Sequence, residues 1–389
     1  MMTNDYVCKD GCFMKRSDQP DLYSAQFGKM SRKIFFDFFL MYALVSFSGQ
    51  ISSFIDGLII SRYLGVDEIA VHGLSKPYFT VLSMLTSTVG LGMQLQSTHA
   101  MAVGDRRCVD DTFSISCIFI FLLSVVLTLA GYAFSAPISI LLGAKGKAAD
   151  LLPLFLVYNK GFFCGVAPIM MGMLLSVAVN VDGKKHVTLI AAITKSVINI
   201  FSDILAVKVF HAGLFGVALA TSISEFCADI ILIMSFRKKS MFHFYPVRLS
   251  LRRIASICSD GSMRLTSQGS FLLNNLILNY TILHFSGKLG ASAMSMRLSL
   301  YSATGFMCVG IVSTVLLVAK VYYSEQDVVA IRKLHGQALC YSFGIFGILG
   351  GVFFFAAPLI IRLFFPDASG GTDGDFHNHD ALVCPIHAV

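Results

Sequence analysis

Residues 51–65, ISSFIDGLIISRYLG, are an apolar, helix-compatible run with one aspartate, Asp56, in the middle. At the centre of a membrane helix a carboxyl group costs about 2.5–3.5 kcal/mol on insertion scales. The reading of this stretch turns on whether water is present around it.

The surrounding chain argues against water. Its 389 residues are 55% hydrophobic and 14% charged, with a mean hydropathy of +0.72, outside the range of soluble globular chains. Apolar stretches of 20 or more residues recur from Ile34 to Phe365, each long enough to cross about 30 Å of hydrocarbon as a helix. They are too long and too uniform for the ten-residue alternating strands of a barrel. The predicted fold is all-α and polytopic, with spans at 34–60, 69–101, 113–142, 151–180, 187–208, 213–236, 254–284, 290–319 and 336–364.

The net charge of +7 is spread over short loops and forms no single basic face, so no nucleic-acid partner is expected. Sorted by alternate loops, nineteen basic residues fall on one side and only six on the other. That bias puts the N-terminus of a multi-pass protein in the cytoplasm; the expected location is a plasma membrane, the bacterial inner membrane in particular. The ten cysteines lie singly, mostly inside apolar runs such as SISCIFIF and GFFCGVAP, and read as small packing residues. The first 30 residues lack the apolar core of a cleavable signal, so the first span is expected to remain.

Two pairs of segments echo each other. SRYLGVDEIAVHGL (61–74) is answered by LHFSGKLGASAMSM (283–296), and SAPISILLGA (135–144) by AAPLIIRLFF (356–365). Gly65 pairs with Gly287 and Pro137 with Pro358, so the offset is constant to within one residue. This predicts duplication of a six-helix unit, an architecture that puts a transport path between the repeats. The organisation read from the sequence is an arm over 1–33, a six-span lobe over 34–236, a basic linker over 237–253, an incomplete lobe of three spans over 254–365 and a polar tail over 366–389. On the repeat, a second lobe would need about three further spans, so an alternative to a working transporter is a truncated or frame-shifted gene product that does not transport by itself. The tail carries His377, His379, Cys384 and His387, without the paired spacing of a zinc module. No metal or organic cofactor is predicted.

Five acids fall inside the spans: Asp37, Asp56, Asp203, Glu225 and Asp229. Asp37 lies near a span end beside the basic arm and reads as interfacial. Glu225 and Asp229, one turn apart, read as a polar stripe or as lining of the central cavity. Asp56 precedes Arg62 by six residues, and Asp203 precedes Lys208 by five, on two spans that both run outward. At 1.5 Å per residue the two carboxyls share a depth, about 8–9 Å inside the outer helix ends. Asn199 lies one turn before Asp203 on the same helix face. Such an oxygen-rich pocket can hold a proton or a sodium ion; the alternative is that the groups only hydrogen-bond one helix to another. Asn274, Asn275 and Asn279 cluster on the seventh span and are further candidates for the cavity wall. Lys76 precedes Pro77, whose missing N–H predicts a break in the second span. The membrane histidines His72, His99 and His284 have no catalytic partner spacing, so no enzyme is expected.

FIDGLIISRYLGVDEIAVHGLSKPYF (54–79), GLGMQLQSTHAMAVGDRR (90–107), and INIFSDILAV (198–207) with GLFGVALATSISEF (213–226) resemble the multidrug and toxic compound extrusion (MATE) family. The likeness covers residues 34–320 and is strongest over the first six spans. It implies two six-helix lobes and a central cavity open to one side at a time. The implied activity is export of amphipathic, often cationic compounds by a monomeric antiporter driven by protons or sodium, with Asp56, Asn199 and Asp203 at the coupling site. The first span departs from the family in lacking its proline. A lipid-linked oligosaccharide flippase of the same superfamily is the alternative, kept open by Arg264 and Arg297.

Overall fold

The computed structural model describes residues 20–144, 146–237, 240–247, 249–324 and 328–364. The tail histidines and Cys384 lie outside them. So does the side chain of Asp37, although its backbone belongs to the first helix. Among the described residues the chain is helical with no strand.

The helices are α1 (Pro20–Tyr63), α2 (Val66–Leu74), α3 (Lys76–Ala102), α4 (Arg106–Ala133), α5 (Ser135–Leu142), α6 (Leu152–Cys164), α7 (Val166–Val181), α8 (Lys185–Lys208), α9 (Gly213–Phe236), α10 (Leu251–Asp260), α11 (Ser262–Ser324) and α12 (Val328–Phe364). The second, third, fourth and seventh expected spans are each made of two helices. The second breaks at Ser75, with Pro77 in the first turn of α3, where proline gives up no hydrogen bond. The third breaks at Phe134, shortly before Pro137, and the fourth at Gly165, where α6 and α7 meet at 47°. By length and hydropathy four helices qualify outright as spans, α4, α8, α9 and residues 334–356 of α12, and the bent α6–α7 pair makes a fifth. These counts are of the described residues alone. Polar side chains lie buried on packed helix faces, Ser48, Ser52 and Asp56 on α1 and Thr80, Thr86 and Thr88 on α3.

The largest difference from the expected layout lies in the seventh and eighth spans, because helix α11 runs unbroken through the loop anticipated at 285–289. The chain nevertheless reverses there. A Cβ built on Gly290 would lie 2.7 Å from Ile282 Cγ2 and 3.2 Å from the Ile282 carbonyl oxygen, whereas residues eight apart on a straight helix are about 12 Å apart. The contacts agree with a reversal. Before the bend, Gln268 donates to Ser83 on α3; after it, Gly305 and Gly310 approach Gln50 and Ala43 on α1. The two limbs of α11 therefore run antiparallel to α3 and to α1 respectively, as two spans would.

Gly65 ends α1 at φ 135° and ψ −173°, a region open essentially to glycine alone, and the next residues start α2. The core of the first six spans is aromatic and aliphatic, with Phe155, Phe162, Ile60, Ile69, Leu74, Met93 and Ile169 fully buried. Tyr78 stacks on Phe162 at 5.4 Å and meets Phe163 edge-on at 5.5 Å. Helix α9 closes on its neighbours through small residues: a Cβ on Gly161 of α6 would lie 2.7 Å from Phe215 O, and one on Gly216 would lie 2.8 Å from Ala206 Cβ of α8. Such close approach is how membrane helices pack where lipid supplies no hydrophobic drive.

The basic linker is fastened beneath the first lobe. Asp182 accepts from Ser240 Oγ (2.9 Å) and Met241 N (2.8 Å), and Asp110 accepts from His243 N (2.8 Å). Asp111 takes the Tyr245 hydroxyl and Arg253, the latter at 2.7 Å. Phe242 is buried against Phe113. Helix α10 starts at Leu251, inside the stretch expected as linker.

Candidate functional site

The site grows from a seam between α1 and α8. Ser48, Ser52 and Asp56 are spaced by four residues on α1; Ser196, Asn199 and Asp203 are spaced by three and four on α8. Each set lies on one helix face. The Ser48 and Ser196 hydroxyls are 2.9 Å apart, Ser196 Oγ donates to Ser48 O at 2.6 Å, and Ser48 Oγ donates to Ala192 O at 2.9 Å. One turn on, Ser52 Oγ donates to Asn199 Oδ1. Asn199 Nδ2 reaches Thr221 Oγ1 of α9 at 3.5 Å. The paired residue numbers rise together on both helices, so α1 and α8 run parallel, and the following turn brings the Asp56 and Asp203 side chains within electrostatic reach of each other.

Both acids are enclosed, Asp56 at 8% exposure and Asp203 at 0%. Asp56 Oδ1 and both Asp203 oxygens have no hydrogen-bond partner among the described residues. Two ionised carboxylates have only acceptors to offer each other, and their mutual burial is unfavourable unless a proton or cation joins them. Lys76 stands within electrostatic reach of Asp56 and donates to Ser53 Oγ at 3.1 Å. Tyr158 of α6 is buried within reach of both acids. His72 meets the Tyr158 ring edge-on, with 6.2 Å between ring centroids, and neither of its nitrogens has a hydrogen-bond partner among the described residues.

The structure thus brings Asp56, Asn199 and Asp203 together. Glu225 lies elsewhere, paired with Lys195 and next to Asp229. Asn275 and Asn279 are buried one turn apart on α11, and both amide atoms of Asn279 are unpartnered among the described residues. Asn274, by contrast, is exposed on another face, because neighbouring positions on a helix point about 100° apart. Sequence reasoning passed over Ser52, Thr221, Tyr158 and His72 as members of the site. Ser52 had a usable signal, its four-residue spacing from Asp56. The others sit in ordinary apolar or small-residue runs. Among the described residues no group of His, Cys, Asp and Glu is arranged to hold a metal ion.

Residues 42–205 match the protein-family model described as MatE. The multidrug export protein MepA of Staphylococcus aureus is 25% identical over 203 residues, 51% of this chain and 44% of the relative. MepA of Staphylococcus saprophyticus is 24% identical over 196 residues, 49% of this chain and 43% of the relative. The matched region spans less than half the length of these relatives. Among solved structures, the inward-facing conformation of a multidrug resistance MATE family transporter aligns with a TM-score of 0.72 at 20% identity, covering 83% of this chain and 75% of that one. The outward-facing conformation of such a transporter also scores 0.72, at 18% identity and 87% and 75% coverage. A MOP superfamily transporter from Pyrococcus furiosus, described as having a binding pocket of reverse polarity, scores 0.71 at 19% identity and 86% and 74% coverage.

Proposed function

We propose, for a membrane chain whose residues 42–205 belong to the MatE family and whose fold is that of MATE transporters, that it works as a secondary antiporter. It exports amphipathic, often cationic compounds and is driven by inward flow of protons or sodium. The observation that carries this reading is the enclosed Asp56–Asp203 pair, with three oxygens lacking hydrogen-bond partners among the described residues. A proton shared between the carboxyls turns one of them into a donor to the other; a sodium ion would be met by the same oxygens and by Asn199. Either cation removes a buried negative charge at the α1–α8 seam. The two access states then differ in free energy by the cation's differential affinity for them, which is what coupling requires.

On this reading the basic-loop side, with the N-terminal arm and the fastened linker, faces the cytoplasm. A flippase for lipid-linked oligosaccharides remains the second reading, favoured by the exposure of Arg264 and Arg297 on α11, which suits an anionic headgroup. Dye and oligosaccharide-lipid transport, measured side by side in proteoliposomes, separate the two: cation-driven dye export supports the antiporter, and gradient-independent lipid translocation supports the flippase.

A further inference from the structure

A second group of buried charges lies deeper in the first lobe and takes no part in the pair just described. Glu225 and Asp229 are one turn apart on α9, exposed at 7% and 5%. Lys195 of α8 forms an ion pair with Glu225. From α7, Gly172 faces the acids: a Cβ there would lie 2.4 Å from Asp229 Oδ1 and 3.6 Å from Glu225 Oε2. Both carboxyls therefore converge on the space that the glycine leaves open. Asp229 Oδ1, aimed into that space, has no hydrogen-bond partner among the described residues.

We propose that Lys195, Glu225 and Asp229 form a second proton-binding site, distinct from the Asp56–Asp203 pair and displaced toward the basic-loop end of the lobe. A structural ion pair needs one acid and one base. Here the lysine neutralises Glu225, and Asp229 is left as a surplus buried carboxylate, a costly arrangement. A proton on Asp229 removes that charge and supplies an O–H that can donate to Glu225. A metal cation fits less well, because the Lys195 ammonium already occupies Glu225 and repels it.

The other packed elements offer little that would compete. Helix α7 presents Gly172, and α6 meets α9 through Gly161 and Gly165. Lys184, bound to Asp182 (2.7 Å) and to Ser235 O (3.0 Å), sits at the basic-loop end. Position matters as well. Lys195 precedes Asp203 by eight residues on α8, about 12 Å nearer that end, yet it stays within electrostatic reach of Asp56. The site is therefore placed to exchange its proton with the side toward which an antiporter releases it, and only this last assignment rests on the antiport reading.

The test is infrared pH-difference spectroscopy of the full chain in lipid nanodiscs, read in the carbonyl region of protonated carboxylic acids. The wild type is expected to show signals from two sites. Asp229→Asn is expected to remove one of them and Asp56→Asn to leave that one in place. Glu225→Gln is expected to shift the Asp229 signal by changing its hydrogen-bond partner. An unchanged spectrum in Asp229→Asn overturns the proposal; if that variant does not fold, an unshifted signal in Glu225→Gln overturns it instead. If neither a proton nor a sodium gradient drives export by the wild type while Asp229→Asn still removes its signal, the antiport reading fails and the second site stands.

Discussion

Helix α9 carries Thr221, Glu225 and Asp229, so its distance from α6 sets the geometry of both charged groups. That distance is fixed by Gly161, and Gly161→Ala tests it. The new methyl would lie 2.7 Å from Phe215 O and 2.9 Å from Ala218 Cβ. Phe215 O is backbone and cannot rotate away, so the helices must separate by roughly 0.7 Å to reach ordinary contact. Overpacking of this kind costs about 1–3 kcal/mol. The gain in helix propensity on replacing glycine offsets about 0.5–1 kcal/mol, leaving a net loss of about 1–2 kcal/mol. Gly344→Ala on α12 is the matched control, because nothing lies within 4 Å of a Cβ there. Denaturant midpoints in detergent, followed by size-exclusion fluorescence, should fall for Gly161→Ala and hold or rise for Gly344→Ala. Equal stability of the two variants would refute the claim that backbone contact positions α9.

Three further outcomes follow from the same geometry. Ser196→Ala removes both contacts to Ser48, 2.9 and 2.6 Å long; at about 0.6 kcal/mol per membrane hydrogen-bonded pair, unfolding assays should show a loss of about 1 kcal/mol that falls to about half when Ser48→Ala is already present, because Ser196 Oγ still donates to the Ser48 backbone carbonyl. Gly65→Ala forces a side chain into φ 135°, ψ −173° and should destabilise by about 1–3 kcal/mol, read as a lower thermal midpoint. Asp182→Ala frees Ser240 and Met241 and should speed tryptic cleavage after Arg237 without lowering the stability of the six-span lobe.

Hydropathy, charge bias and rise per residue were sufficient to put Asp56 and Asp203 at one depth with Asn199 a turn away, because a membrane helix must be nearly straight over the few residues separating each acid from the basic residue beyond it. The break before Pro77 was equally legible, since proline announces its missing donor. The bends at Phe134 and Gly165 went unread although Pro137 and Pro168 follow them by three residues, because these prolines stand inside long apolar runs that look continuous. The partner of Glu225 was also hidden: Lys195 is thirty residues away and meets it only through the α8–α9 packing. Asn274 was grouped with Asn275 and Asn279 by adjacency in sequence, whereas the 3.6-residue turn separates it from them. The fastening of the linker escaped notice because its anchors, Asp110, Asp111 and Asp182, look like ordinary loop acids.

The central claim is that the Asp56–Asp203 pair couples cation entry to export, and efflux from proteoliposomes tests it most directly. A cationic dye is loaded, and proton and sodium gradients are imposed in turn on the wild type and on Asp56→Asn. The account predicts that one gradient accelerates efflux from the wild type and that Asp56→Asn abolishes this acceleration while still binding dye. Efflux indifferent to both gradients in the wild type, or gradient-driven efflux undiminished in Asp56→Asn, would contradict it.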